Sequence, residues 1–62
     1  MSRAREVLFE IVQSGAIAKV TAIDAQTGIE ATIQGPASAG AAMLKKSAVQ
    51  KLIYLLNKKN KK

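Results

Sequence analysis

Ala16-Ile17-Ala18-Lys19-Val20-Thr21-Ala22-Ile23-Asp24 is the stretch whose reading decides the fold. Ala18, Val20 and Ala22 alternate with Lys19, Thr21 and Ile23. A period of two is that of a strand with one buried face. Turn-forming residues flank the stretch on both sides. Ser14-Gly15 precedes it as a two-residue loop, and Ala25-Gln26-Thr27-Gly28 follows, with Asp24 placed to bond turn amides and Gly28 suited to a left-handed position. A strand with a tight turn at each end has a neighbour on each side, so this one is the middle of an antiparallel meander.

The neighbours fit. Residues 6–13 predict a first strand, in which Val7, Phe9 and Ile11 alternate with Leu8, Glu10 and Val12. The middle strand covers residues 16–24 and a third covers 29–34. A loop at Ser14-Gly15 sets Glu10 opposite Lys19, Phe9 opposite Val20 and Val12 opposite Ile17. The second loop sets Thr21 opposite Thr32, Val20 opposite Ile33 and Ala22 opposite Ala31. These are favourable cross-strand pairs. They also gather Val7, Phe9, Ile11, Ala18, Val20, Ala22, Ile29, Ala31 and Ile33 onto one apolar face.

Gly35-Pro36 stops the sheet, and the period then becomes helical. Ala41, Leu44, Ala48, Leu52, Leu55 and Leu56 form one stripe, widened by Val49. The spacing predicts a helix over residues 39–57, with Ser38 as its cap, Asn57 as its stop and a basic tail at 58–62. The expected architecture is therefore α+β: a three-stranded antiparallel meander, order 1-2-3, with one C-terminal helix on one face (βββα). The chain of 62 residues is read as one domain. The alanines on the covered face let the helix approach closely. Leu8, Val12, Ile17 and Ile23 are left on the other sheet face, and Met43, Ile53 and Tyr54 at the flank or back of the helix. Grouped apolar exposure of this kind marks an interface.

Composition excludes more than it suggests. The chain has no Cys and no His, so the commonest metal ligands and the commonest general base are missing. No cofactor or metal is expected. No stretch is long enough to span a membrane, and no secretory leader is evident, so a cytoplasmic protein is expected. A chain this short buries only about 60% of the surface its unfolded form exposes, and self-association is the ordinary remedy.

Candidate chemistry is thin. Glu10 and Glu30 share the outer sheet face, but cross-strand pairing accounts for them better than acid–base work, which needs burial or like-charge coupling. No serine has a base beside it. Gly35-Pro36-Ala37-Ser38-Ala39-Gly40 precedes a helix, yet it matches neither a P-loop nor a dinucleotide fingerprint. An enzyme is therefore not expected.

Charge is the one global hint about partners. All four acids (Glu6, Glu10, Asp24 and Glu30) lie in the first thirty positions, and seven of ten cations lie in the last eighteen. Lys45, Lys46 and Lys51 on the helix, with Lys58, Lys59, Lys61 and Lys62 beyond it, are candidate contacts for phosphates or another anion. Against this, the helix lysines are dispersed around the cylinder. With Phe9 assigned to the core, the sheet has no aromatic platform for bases. A solvated charge run is the simpler account of the tail.

Taken together, Glu6-Val7-Leu8-Phe9-Glu10, Lys19-Val20-Thr21-Ala22-Ile23-Asp24, Thr27-Gly28-Ile29-Glu30, Gly35-Pro36-Ala37 and Lys51-Leu52-Ile53-Tyr54-Leu55-Leu56 carry a resemblance. In their order and spacing, from Glu6 to about Leu56, the chain resembles a family of very small, uncharacterised bacterial proteins, mostly alphaproteobacterial, that consist of a domain of unknown function. The resemblance implies the same fold and a small cytoplasmic protein, and it implies no activity. The chain departs from the family pattern near the helix start, where Lys45-Lys46 follow an Ala/Gly-rich run instead of acidic residues.

Two functions are expected from these features. The first is a non-enzymatic interaction module that forms a homodimer or binds another protein through Leu8, Val12, Ile17 and Ile23. The second is a small basic nucleic-acid-binding protein that contacts phosphates through the lysines.

Overall fold

A computed structural model defines residues 6–60, the side chains of residues 59 and 60 excepted. Three antiparallel strands, β1 (Val7–Ser14), β2 (Ile17–Asp24) and β3 (Glu30–Pro36), lie in the order β1-β2-β3. A single 3-10 turn, Ala37–Ala39, leads into one C-terminal helix, α1 (Ala41–Asn60). This is the α+β, βββα architecture that the periodicity predicts.

The β2–β3 register is the expected one, with Val20 opposite Ile33, Thr21 opposite Thr32 and Ala22 opposite Ala31. The hydroxyls of Thr21 and Thr32 hydrogen-bond across it at 2.9 Å. The β1–β2 register differs by two residues. Glu10 stands opposite Thr21 rather than Lys19, Phe9 opposite Ala22 rather than Val20, and Val12 opposite Lys19 rather than Ile17.

The cause is the turn. Ser14 pairs with Ile17, so the loop is Gly15-Ala16, and Gly15 has φ +60° while no non-glycine residue among those described has a positive φ. A two-residue hairpin with positive φ only at its first central position is a type II′ turn, which calls for glycine there. A slip of two leaves every side chain on its expected face; a slip of one would not.

Further differences occur around the helix. β3 runs on to Pro36, which faces Ile17 and is tolerated because β3 is an edge strand. Ser38 lies inside the 3-10 turn and does not cap α1. Gly40 (φ +92°) takes that position, with its carbonyl accepting the Leu44 amide at 3.1 Å. α1 continues past Asn57 to Asn60, taking Lys58 and Lys59 into the helix. Lysine is a good helix former, and cations near the C-terminus complement the macrodipole.

The core is small. Ala18, Val20, Ala22, Ala31, Leu44, Ala48, Leu52 and Leu56 are buried, with Val7, Ile29, Ile33, Ala37 and Leu55 packed partly against them. The leucines of α1 lie on a floor of alanines, and at Gly35 even a Cβ would stand 2.9 Å from Leu44 Cδ2. α1 packs on β2 and β3. The expectation that Phe9 and Ile11 join the core is overturned, because they remain 38% and 44% exposed. A helix is about 10 Å across and strands are spaced about 4.8 Å apart, so one helix covers two strands and not three.

Candidate interaction surface

β1 is the least covered element of the molecule. Val7 is half-buried and every later residue of the strand is exposed. Because β1 is an edge strand, it also presents a row of backbone groups that no other strand among the described residues pairs. Apolar side chains stand on both of its faces: Leu8 and Val12 on the outer face, Phe9 and Ile11 beside the helix.

The structure divides the four outer-face candidates into two groups. Leu8 stands opposite Ile23 at one end of the sheet. Val12 stands opposite Lys19 and lies diagonally from Ile17 at the other. The polar row Glu10–Thr21–Thr32 separates them. Leu8, Val12 and Ile17 are exposed, and Ile23 is half-buried. Val12, Ser14, Ile17, Lys19 and Gln34 line an open depression of about 390 Å³. Phe9 and Ile11 belong to the same exposed strand and were missed, because alternation marks a face as apolar without saying whether anything covers it.

The described lysines do not converge. Lys45 Nζ sits 5.2 Å from the centroid of the Phe9 ring, on the β1 side of α1. Lys51 Nζ donates a 3.0 Å hydrogen bond to the Thr32 carbonyl, on the β3 side. Lys58 Nζ lies 6.0 Å from the centroid of the Tyr54 ring, at the outer limit of cation–π attraction. Lys46 is exposed. Lys61, Lys62 and the side chain of Lys59 lie outside the described residues.

Asp24 is the one acid that is buried, and its role is local. Its Oδ2 accepts hydrogen bonds from the Thr27 amide at 3.0 Å and the Thr27 hydroxyl at 2.7 Å. Its carbonyl accepts the Gly28 amide at 2.7 Å, and its own amide donates to the Ile29 carbonyl at 2.9 Å. The side chain thus holds the β2–β3 loop in shape, and Gly28 (φ +78°) completes the turn.

Among the described residues no group of three or more His, Cys, Asp or Glu could hold a metal ion, and no helix is long and apolar enough to cross a membrane. No curated protein and no solved structure matches the chain. Its strand, turn and helix pattern does find a match: residues 4–59 fit the model of a domain of unknown function, DUF6898, and the chain belongs to that family.

Proposed function

We propose that this protein is a non-enzymatic interaction module that works by self-association through β1 and the outer sheet face beside it. One observation carries the reading: β1 is exposed along its length after Val7 and bears Leu8, Phe9, Ile11 and Val12. An open strand edge with apolar side chains on both faces is a template for a further strand or sheet. Self-association would also add burial to a domain whose own core is small. The bacterial cytoplasmic setting that the family resemblance implies suits such a module.

Sedimentation velocity at micromolar concentrations tests the reading. Wild type is expected to associate, and Val12→Lys or Ile17→Lys to weaken association while leaving the monomer's stability within about 0.5 kcal/mol, as exposed substitutions do. A strictly monomeric wild type at high concentration would sink it.

A second reading, nucleic-acid binding, is favoured by one feature: α1 carries lysines and no acidic residue. It predicts affinity that falls steeply with salt, in proportion to the phosphates neutralised, and that weakens for many sequences alike in Lys45→Ala/Lys46→Ala. Lys45 and Lys51 each engage a group of the chain itself, on opposite sides of α1, which makes this the weaker reading.

A further inference from the structure

Exposed charge is sorted between the two layers of the molecule. Glu10 and Glu30 stand on the outer sheet face, with Lys19 as the one cation among the described residues of that face and Glu6 exposed beside it. The opposite layer, α1, carries only cations. Each surface also has exposed apolar side chains: Leu8, Val12 and Ile17 on the sheet, Met43, Ile53 and Tyr54 on the helix.

These two surfaces suit each other better than either suits itself. Helix against helix would set lysine against lysine. Outer face against outer face would gather four glutamates, two from each copy, with two copies of Lys19 to offset them. Outer face against helix brings glutamates to lysines and buries both apolar sets together, and charge juxtaposition selects among such arrangements. Their lengths match as well. The 20 residues of α1 span about 30 Å, and an eight-residue strand spans about 26 Å.

We infer that the outer sheet face of one copy docks the solvent-facing side of α1 from a second copy. The inference rests on the self-association reading and specifies its partner surface. The two surfaces lie on opposite layers of the same chain, so a copy bound through one surface still offers the other. Such head-to-tail contact grows without closing at two.

Sedimentation of nuclease-treated protein over a concentration series tests this. The mean mass of wild type should rise past twice the 6.6 kDa of one chain. Added salt should lower it, because exposed charges are screened. A sheet variant, Glu10→Lys/Glu30→Lys, and a helix variant, Lys46→Glu/Lys58→Glu, should each associate at least about tenfold more weakly, since like charges then face each other. An equal mixture of the two variants should recover the wild-type series, because the unchanged helix of one meets the unchanged sheet of the other and the two reversed surfaces again carry opposite charges.

If a charge-reversed variant loses its cooperative melt, Glu10→Gln/Glu30→Gln replaces it, with about threefold weaker association expected for lost surface pairs. A monomeric wild type overturns both this inference and the reading beneath it. A dimer that saturates at two and ignores the charge changes leaves self-association standing and overturns the head-to-tail contact. Association that disappears on nuclease treatment overturns both, in favour of bridging by nucleic acid.

Discussion

β1 and β2 are both eight residues long, and each has five apolar residues, yet they live in different environments. β2 buries Ala18, Val20 and Ala22 in the core with the helix, and Asp24 at its end, whereas β1 buries none of its side chains fully. What separates them is the size of the residues facing α1. β2 and β3 present mostly small groups (Ala18, Ala22, Ala31 and Gly35), into which Leu44, Leu52 and Leu56 can settle. β1 presents Val7, Phe9 and Ile11, which would hold a helix away. Close packing rewards the first arrangement, because each leucine keeps its full set of contacts at short range. Burial here depends on where the helix can approach, and not on which strand is more hydrophobic.

The sharpest way to break this comparison is to cut equally into both sides. Leu52→Ala, beneath the helix, should cost about 2–5 kcal/mol. At about 0.05–0.15 kcal/mol per residue the whole domain has only about 3–9 kcal/mol to lose, so the variant should be largely unfolded in moderate urea. Ile11→Ala on β1 should cost less than about 1 kcal/mol, because much of the side chain already meets water. Equal shifts of the two urea midpoints would mean that α1 covers β1 after all.

Asp24 marks the covered end of β2, and its loss should come next in size. Asp24→Ala leaves the Thr27 amide and hydroxyl without their acceptor and should cost about 1–3 kcal/mol. Asp24→Asn keeps an oxygen that can accept from Thr27 and should cost less. Hydrogen exchange at the Thr27 amide should quicken in the alanine variant; unchanged exchange would show that the loop does not depend on this side chain.

Phe9→Ala tests the uncovered side directly. A fully buried phenylalanine costs about 3–5 kcal/mol when cut to alanine. Phe9 is partly exposed and also carries the Lys45 contact, so about 1–2 kcal/mol is expected, read from thermal melts as a shift of several degrees. A loss at the full-burial level would place the ring in the core.

The smallest change probes why the helix sits where it does. Gly35→Ala puts a methyl group 2.9 Å from Leu44 Cδ2. Relief from glycine's conformational cost in a strand offsets part of the clash, so a net loss of about 1 kcal/mol is expected. A stabilised variant would show that Leu44 can move aside freely, and that small residues under α1 are not what guides its position.

Much of the molecule was legible in the sequence, for reasons that are local. Alternation in residues 17–24, glycine at the turns and the 3.6-residue stripe from Leu44 to Leu56 are each properties of a short segment. They determine the element types, the order β1-β2-β3 and which side chains share a face. The Gly15-Ala16 turn was nearly legible, since a type II′ hairpin wants glycine first, but the alternative loop satisfied the same alternation. The candidate surface was legible in part. Leu8, Val12, Ile17 and Ile23 could be assigned to the outer face by parity alone.

Tertiary structure decided the rest. The exposure of Phe9 and Ile11 and the engagement of Lys45 and Lys51 on opposite flanks of α1 both follow from the line along which the helix crosses the sheet. No segment contains that line. It arises when a helix about 10 Å wide meets a sheet too broad for it and settles where side-chain volume is least.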